Sequence, residues 1–449
     1  MNQIRQERMP LFAALKKYKD EQTVSFHVPA HKHGAGLPDF TSYVGTNVMN
    51  MDLTILADLD SICQPTGVIQ EAETLAAEAF GAPRAFFLVN GTTSGIQAMI
   101  MTMCEPGDKI IVPRNAHKSV IGGIILSGAI PVYVQPEIYH RMGIAKGVTP
   151  ESIELALQEN PDTKAVFIIH STYYGMASDL ETIVNIARSY GVPVIADEAH
   201  GAHFAFHPAL PKSAMSCGVA MSALSVHKLG GSMTQSSILL VDDQQVDPAK
   251  VKTILNLTQT TSPSYVLMAS LDAARQQLAL KGEVLFDEVI ALAEKARHEL
   301  NQIPGVYVYG AELNSTPGCY QYDPTKIAIT LRQLGISGYE AEVILRKDHQ
   351  IAFEMADLHN LLAIIGIGDT EETIGKLVAA VRVLAEDLSH KHITKQYLPI
   401  PEMPELAVSP REAFYSETRS VPLEEAIGEV SAEIIMAYPP GIPIICPGE

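Results

Sequence analysis

The sequence contains no run of apolar residues that approaches the roughly 18–20 needed to span a bilayer. Its N-terminus, MNQIRQERMPLFAALKKYK, has neither an apolar signal core nor a cleavage site of small residues. Basic residues are few: 32 lysines and arginines stand against 51 aspartates and glutamates, a formal net charge of -19. That balance argues against a nucleic-acid-binding protein, which needs a basic face. These absences predict a cytoplasmic protein with neither a membrane nor a nucleic-acid partner.

Paired cysteines are also missing. The five cysteines, at positions 63, 104, 217, 319 and 446, include no CxxC pair. They are expected to be reduced and mostly buried thiols, and no metal site is predicted. What is present, 47% hydrophobic and 18% charged residues over 449 positions, is typical of a folded globular protein with two or three domains.

From about residue 70, short apolar segments alternate with amphipathic ones. The strand candidates are AFFLVN (85–90), KIIVPR (109–114), IPVYV (130–134), KAVFIIH (164–170), VPVIAD (192–197), SALSVH (222–227) and SSILLV (236–241). Helical stretches such as TPESIELALQENP and LETIVNIARSYG lie between them. Apolar strands separated by amphipathic helices predict an α/β fold, with a mainly parallel sheet covered by helices on both faces.

The pattern divides the chain into four regions: an N-terminal helix and arm (1–50), a large domain (51–290), a smaller α/β domain (291–395) and a Pro-rich tail (396–449). A long helix at about 280–302 precedes the strands of the smaller domain. The strand candidates of that domain lie at 325–331, 351–357 and 361–367. The prolines of the tail, as in AYPPGIPIICPGE, are expected to prevent a helix and to favour an extended path over the surface.

Three segments at the ends of predicted strands carry chemically useful residues, and open α/β sheets bind ligands at that edge. The first, NGTTSGIQ (90–97), follows a strand and opens a helix. Its backbone N–H groups and hydroxyls suit a phosphate. A simple capping turn has the same composition, so this segment alone leaves both interpretations open.

The second segment, ADEAHGAH (196–203), places Asp197 at the end of a strand. Taken alone, Asp197 is as readily a helix cap or a metal ligand as a catalytic group. The nearby His200 and His203 keep the metal interpretation open.

The third segment, SALSVHKLGGS (222–232), places Lys228 just beyond another strand. Most lysines are solvated surface residues. The neighbouring Ser225, His227 and paired glycines are not typical of a surface, however. A lysine that condenses with an aldehyde needs a confined position of this kind, so that its amine can be neutral.

In chain order, a phosphate turn, an acid and a lysine follow the arrangement of a pyridoxal phosphate (PLP) site in the aspartate-aminotransferase fold. The phosphate suits the positive end of a helix, the pyridine nitrogen needs a carboxylate to remain protonated, and the aldehyde needs an amine. The three segments together indicate a PLP enzyme, with Lys228 as the cofactor-binding lysine.

Further motifs give the chain a resemblance to the Orn/Lys/Arg decarboxylase family of that fold. Similar segments are FHVPAHKHGAG (26–36), NGTTSGIQ, PRNAHKS (113–119), HSTYYG (170–175), ADEAHGAHF, SVHK, TSPSYVLMASLDAAR (261–275) and PPGIPIICPGE (439–449). They cover nearly the whole chain, and several are specific.

The resemblance implies a role for each matching residue. Lys228 would carry the cofactor, Asp197 would pair with the pyridine nitrogen, and His117 would stack on the ring. Ala199 would pack under the opposite face of the ring. The phosphate would be held by Thr93, Ser94, Ser225 and His227. The substrate or the phenolic oxygen of the cofactor would lie near Ser171, Thr172 and His200.

The resemblance also implies a homodimer, or a dimer of dimers, in which Thr261 and Ser262 reach the phosphate of the neighbouring subunit. The large bacterial members begin with an N-terminal wing domain. That domain is expected to be absent here, since FHVPAHK starts at residue 26. Other members usually continue beyond the PPGIPIICPGE motif, so either a short form or a missing C-terminal part is expected.

The implied activity is the decarboxylation of arginine, lysine or ornithine in polyamine biosynthesis, with arginine slightly favoured. Glu354, Asp357 and Glu449 are the candidate acids that would bind the distal cation of this small-molecule substrate, although ordinary surface charge explains them equally well. An aminotransferase or lyase of the same fold is the alternative enzyme. A PLP-binding regulator without activity is a third possibility, against which Lys228 and Asp197 argue.

Overall fold

Helices and strands alternate along most of the chain, as the sequence pattern predicts. The computed structural model describes residues 3–388, 403–438 and 440–449. Its helices are α1 (Gln3–Gln6), α2 (Pro10–Asp20), α3 (Pro38–Val44), α4 (Thr46–Met51), α5 (Val68–Phe80), α6 (Gly91–Met103), α7 (Lys118–Ser127), α8 (Pro150–Glu159), α9 (Leu180–Ser189), α10 (Val226–Leu229), α11 (Pro248–Thr258), α12 (Tyr265–Asn301), α13 (Gly338–His349), α14 (Glu371–Leu388) and α15 (Pro410–Tyr415). None of these described helices has the length and apolar character that a membrane crossing requires.

The strands are shorter and, in the second half of the chain, less regular. They are β1 (Arg84–Leu88), β2 (Lys109–Pro113), β3 (Ile130–Val134), β4 (Ile138–Tyr139), β5 (Ile144–Ala145), β6 (Thr163–Ile169), β7 (Met176–Ala177), β8 (Val194–Asp197), β9 (Met221–Leu224), β10 (Ser237–Val241), β11 (Tyr307–Val308), β12 (Gln321–Tyr322), β13 (Lys326–Thr330), β14 (Met355–Ala356), β15 (Asn360–Ile364), β16 (Ile435–Met436) and β17 (Pro443–Ile445). All seven strand candidates before residue 245 overlap a strand. The candidate at 351–357 forms a strand only over Met355–Ala356.

Contacts divide the chain into two compact units. Unit 1 contains the residues up to Thr102, Ile195–Pro208 and Lys212–Glu283. Unit 2 contains Met103–Val194, Ala209–Pro211 and the described residues from Val284 onward. The predicted boundary between residues 395 and 396 lies outside the described part of the chain.

In unit 1 the strands lie in the order β1-β10-β9-β8. Strand β10 is antiparallel to β1 and β9, whereas β8 and β9 are parallel, with Asp197 opposite Ala223. Every residue of β8, β9 and β10 is buried, which explains their continuous apolar sequences. Because β8 and β9 are parallel, the residues that follow them lie at the same edge.

A buried ion pair on α12 holds the N-terminal helices of unit 1. Nη2 of Arg275 lies 2.7 Å from Oδ1 of Asp272, and neither side chain is exposed. Asp272 accepts a hydrogen bond from the backbone N–H of Leu11 at 3.0 Å, and Arg275 donates to the carbonyl of Gln6 at 2.7 Å. Each charge is thus paired and hydrogen-bonded, as burial requires.

In unit 2, β6, β2 and β3 lie in that order and are parallel. A second, antiparallel sheet has the order β11-β13-β15-β14. Helix α14 buries Ile374, Leu377, Val378, Val381 and Leu384 at helical spacing. Parallel strands with amphipathic helices, followed by a smaller sheet, confirm the predicted α/β class.

The C-terminal residues contain more regular structure than their prolines suggest. Helix α15 begins at Pro410 and is capped by Ser409, whose hydroxyl accepts a hydrogen bond from the N–H of Glu412 at 3.1 Å. Strands β16 and β17 pair antiparallel. The expectation of a tail without helix is therefore wrong for this segment. Proline at the first helical position lacks only an N–H that would have no partner within the helix.

Candidate active site

Lys228 lies in the short helix α10, just beyond the end of β9. Its side chain is half-buried, and its Nζ lies 2.8 Å from Nε2 of His200, which is 4% exposed. His200 follows β8, the parallel neighbour of β9. The parallel pairing thus brings together two residues that are far apart in the sequence, as the strand-end argument predicts.

Asp197 is the last residue of β8 and is 6% exposed. Its Oδ1 accepts a hydrogen bond from the N–H of Ala199 at 3.0 Å. The described residues provide no other hydrogen bond to this carboxylate. Burial raises the pKa of Asp197, while the Ala199 N–H and the positive charge of Lys228 oppose the rise. One carboxylate oxygen therefore remains able to accept a proton-bearing ligand atom.

The predicted phosphate turn opens helix α6, as expected. Thr93 is exposed at the N-terminal end, whereas Ser94 is buried and donates its hydroxyl hydrogen bond to the carbonyl of Gly91 at 2.9 Å. Gly95 allows close packing, because a Cβ atom there would lie 2.7 Å from Cδ1 of Leu88. Without that close approach, the helix end could not lie against the strands.

Ser225 joins the phosphate turn to the lysine segment. Its hydroxyl oxygen lies 2.5 Å from Oγ1 of Thr92, which is also 2.9 Å from Oγ of Ser237. His227 is half-buried, and its Nδ1 lies 2.9 Å from the carbonyl oxygen of Ser236. The lysine helix is thus held against the N-terminus of α6 by side-chain hydroxyls.

Unit 1 fits PLP. It offers a helix N-terminus with an exposed hydroxyl for the phosphate, a buried carboxylate with an available oxygen for the pyridine nitrogen, and a half-buried lysine amine for the aldehyde. By contrast, the described residues contain no group of three histidine, cysteine or acidic side chains that could hold a metal ion.

Thr261 and Ser262, predicted to reach a neighbouring subunit, are both exposed. They follow Gln259, whose Oε1 accepts a hydrogen bond from the N–H of Val89 at 3.1 Å. This hydrogen bond holds the segment next to the residue that precedes the predicted phosphate turn of its own chain. Thr261 and Ser262 follow Gln259 by two and three positions.

His117 belongs to unit 2 and caps helix α7. Its Nδ1 accepts a hydrogen bond from the N–H of Ser119 at 3.2 Å. The backbone N–H of Lys118 donates to the carbonyl of Gly441 at 2.9 Å. A Cβ atom on Gly441 would lie 3.1 Å from Nε2 of His117. Gly441 therefore packs directly against the histidine, and a side chain at position 441 would crowd the ring.

Ser171 and Thr172, the tentative substrate residues, are 1% and 5% exposed. The Thr172 hydroxyl accepts a hydrogen bond from the N–H of Met176 at 3.2 Å. The buried Ser171 hydroxyl has no hydrogen-bond partner within the described residues. It is therefore available for a ligand.

The three candidate recognition acids have different surroundings in unit 2. Glu354 is exposed. Asp357 accepts hydrogen bonds from the N–H groups of His359 and Asn360 at 2.8 and 2.7 Å, and its other oxygen accepts one from the Tyr174 hydroxyl.

The side chain of Glu449, the third acid, is fully buried, and its Oε2 forms an ion pair with Nη2 of Arg114 at 2.7 Å. Its Oε2 also accepts a hydrogen bond from the N–H of Cys446 at 2.7 Å. Its Oε1 has no partner within the described residues. Asp357 is thus occupied in a turn, whereas Glu449 keeps one buried oxygen available.

Glu198 is the residue that sequence reasoning missed most clearly. It is 1% exposed and accepts hydrogen bonds from the Ser222 hydroxyl at 2.7 Å and from the N–H of Ala214 at 2.8 Å. Burial raises its pKa to about 8, although these hydrogen bonds oppose the rise. A glutamate directly after a buried strand could have signalled this position, but the adjacent Asp197 drew the functional interpretation.

Comparisons with known proteins point to one family. The family model described as Orn/Lys/Arg decarboxylase, major domain, matches residues 9–373, and that of the C-terminal domain matches residues 390–449. Arginine decarboxylases of Bacillus subtilis and Halalkalibacterium halodurans are 47% and 50% identical, each over 99% of this chain and 91% of the relative. A lysine decarboxylase of Pseudomonas aeruginosa is 26% identical over 98% of this chain and 73% of its own length.

Solved structures extend the likeness to the fold. The lysine decarboxylase of Francisella novicida matches with a TM-score of 0.84 at 24% identity, covering 98% of this chain and 74% of that one. An alanine–glyoxylate aminotransferase from Nostoc matches with a TM-score of 0.58 at 16% identity, covering 76% of this chain and 92% of that one. At these identities the likeness shows the fold alone, and it confirms the fold predicted from the sequence.

The raised pKa of Glu198 predicts a pH-dependent stability. Its ordinary pKa is 4.5, so between that value and about 8 the unfolded chain releases a proton that the folded protein keeps. Stability therefore falls as the pH rises through this window, by up to about 1.4 kcal/mol per pH unit. Glu198→Gln removes this loss. The difference between its thermal midpoint and that of the wild type should therefore increase in favour of the variant as the pH rises from about 5 to about 7.5.

Glu288→Gln, an exposed position on α12, is the matched control and should keep the wild-type pH dependence. Parallel midpoint curves for Glu198→Gln and the wild type would mean that Glu198 is ionised in the folded protein.

Proposed function

The chain belongs to the Orn/Lys/Arg decarboxylase family, and from this premise we propose that it is a PLP-dependent decarboxylase that converts L-arginine to its amine and carbon dioxide. The observation that carries the proposal is the meeting of Lys228, Asp197 and the α6 N-terminus in unit 1. The preference for arginine is supported by the arginine decarboxylases, which are far more similar to this chain than the lysine decarboxylases.

PLP, when bound, supplies a protonated ring that accepts the electron pair left when the carboxylate departs. In the proposed arrangement, the Lys228 amine would hold the aldehyde and later release the product. The carboxylate of Asp197 would keep the ring nitrogen protonated, which would stabilise developing negative charge. The α6 N-terminus would hold the phosphate, together with the hydroxyls of Thr93 and Ser225.

His200 would accept a proton from the Lys228 amine. Its Nε2 lies 2.8 Å from the Lys228 Nζ, within the distance at which a proton can be passed between a base and an amine. His200 would thereby help the amine lose its proton before it binds the aldehyde. His117 would stack on the ring, and Ala199 would pack on the opposite face.

A basic substrate needs an acid at the far end of its side chain, because an unpaired cation in a dry pocket is costly. We assign this role to Glu449, whose buried Oε1 has no hydrogen-bond partner in the part of the chain that the structure describes. Its pairing with Arg114, three residues before His117, attaches it to the segment that carries the ring-stacking histidine. Glu354, which is exposed, is the alternative that the sequence suggested.

The active assembly is proposed to be a homodimer, or a dimer of dimers. The exposed Thr261 and Ser262 support this proposal, since they extend from a segment that is anchored beside the phosphate turn. In the dimer they would complete the phosphate site of the other subunit.

A substrate panel tests the activity. Purified protein with PLP should release carbon dioxide from L-arginine with a kcat/KM at least about tenfold above those for L-lysine and L-ornithine, because each lacks part of the guanidinium hydrogen bonding. L-Glutamate serves as the acidic control. Transfer of an amino group to a 2-oxo acid without release of carbon dioxide would identify an aminotransferase and overturn the proposal.

The role of Asp197 predicts a separation of binding from turnover. Asp197→Asn should keep PLP bound through the phosphate site but lower kcat by at least about a hundredfold, because a neutral amide does not hold the ring proton. Visible absorbance of the bound cofactor and carbon dioxide release measure the two properties separately. Near wild-type turnover would show that another group protonates the ring.

The recognition acid can be identified with uncharged replacements. Glu449→Gln should weaken the turnover of arginine by about 2–5 kcal/mol, the usual cost of breaking a desolvated charge pair. Glu354→Gln should cost less than about 1 kcal/mol, as an exposed charge does. Citrulline, which has the shape of arginine without its charge, controls for general damage. The reverse ranking of the two variants would assign recognition to Glu354.

A further inference from the structure

Tyr174 connects two segments of unit 2 that are far apart in the sequence. It belongs to the HSTYYG segment, which follows β6 and contains Ser171 and Thr172. Its hydroxyl donates a hydrogen bond to Oδ2 of Asp357, 183 positions away. Burial, followed by the nearby negative charge of Asp357, raises the pKa of Tyr174 well above its ordinary value. The hydroxyl therefore keeps its proton and its role as donor.

The acceptor side of this link is a rigid turn. Oδ1 of Asp357 accepts the N–H groups of His359 and Asn360, which closes the turn 357–360. The Asn360 side-chain amide donates to the carbonyl of Met142 at 3.0 Å. Gly338 packs directly on the same turn, because a Cβ atom there would lie 2.4 Å from the carbonyl oxygen of Asp357. Tyr174 is thus hydrogen-bonded to a turn that is itself held by several hydrogen bonds.

The donor side is a tight loop between β6 and β7. The N–H of Thr172 donates to the carbonyl of Met176 at 3.1 Å, and the N–H of Gly175 donates to the carbonyl of Thr172 at 2.9 Å. The Tyr309 hydroxyl donates to the Tyr174 carbonyl. The loop is therefore internally hydrogen-bonded, and the Tyr174 hydroxyl adds a side-chain anchor that joins it to the turn 357–360.

We propose that Tyr174 and Asp357 form a positioning pair that holds the 171–176 loop in the geometry needed to present the Ser171 hydroxyl to the substrate. The proposal rests on the proposed function and on the resemblance, which implies that Ser171 lies near the substrate; within the described residues its buried hydroxyl has no hydrogen-bond partner. It also gives Asp357 a different role from the direct cation binding suggested by the sequence. Asp357 acts through Tyr174 and the loop, not by touching the substrate.

Two single substitutions break the same hydrogen bond from opposite sides. Tyr174→Phe removes the donor. Asp357→Asn keeps an oxygen that closes the turn but replaces Oδ2, which accepts from both the Tyr174 hydroxyl and the Asn360 side-chain amide. Each should raise the KM for arginine about tenfold, as expected for the loss of a charge-assisted hydrogen bond, and change kcat less than about twofold. The double variant should be no worse than Asp357→Asn alone, because that substitution has already removed the contact with Tyr174.

Tyr322→Phe is the matched control. The Tyr322 hydroxyl belongs to the same aromatic cluster but donates to Glu294 at 2.7 Å, and its loss should leave the KM unchanged. Additive effects of Tyr174→Phe and Asp357→Asn, or equal effects of Tyr174→Phe and Tyr322→Phe, would overturn the positioning pair.

Hydrogen exchange followed by mass spectrometry separates this proposal from the function itself. Tyr174→Phe should speed exchange in the peptide that contains residues 171–176 by about tenfold, because the anchor of the loop is lost. Tyr322→Phe should not. If the loop loosens as expected but arginine is not decarboxylated by the wild type, the pair stands and the proposed substrate fails. Unchanged exchange in Tyr174→Phe would refute the pair whatever the substrate is.

Discussion

Two adjacent carboxyl groups are buried at the end of β8, and the organisation of unit 1 depends on how they avoid carrying charge together. Successive residues of a strand point to opposite faces. Glu198 binds Ser222 and the backbone of Ala214 and keeps its proton, since burial raises its pKa to about 8. Burial raises the pKa of Asp197 as well, while the Ala199 N–H and the positive charge of Lys228 oppose that rise. Two buried carboxyl groups side by side each disfavour the ionisation of the other.

Unit 2 positions its candidate site residues by a different principle. In unit 1, strand ends and a helix N-terminus set the geometry. In unit 2, hydrogen-bonded loops do so: the loop 171–176 is tied to the turn 357–360, and the segment around His117 is tied to residues 441–449. Loops can change without disturbing a core. Substitutions in these loops can therefore alter the surroundings of the candidate residues without disturbing the core of unit 2.

Much of the fold, and the location of the candidate cofactor site at the strand ends, could be predicted from the sequence, because both depend on local patterns. Apolar runs located the strands around Asp197 and Lys228, and a glycine-rich turn located the start of α6. Contacts between distant side chains left no such pattern. The sequence suggested Thr93 and Ser94 but not Thr92, whose contact with Ser225 arises only when the strands assemble. Likewise, nothing in IAFEMAD indicated that Asp357 would accept a hydrogen bond from Tyr174.

The guanidinium of Arg114 donates to the carbonyl of Pro443, 329 positions further along the chain. A contact between such distant positions closes late, since the intervening chain must first be synthesised and ordered. On the ribosome, the residues around Lys228 emerge long before the segment that braces the His117 loop. A nascent chain therefore contains Lys228 before the segment around His117 is fixed by its contacts with residues 441–449.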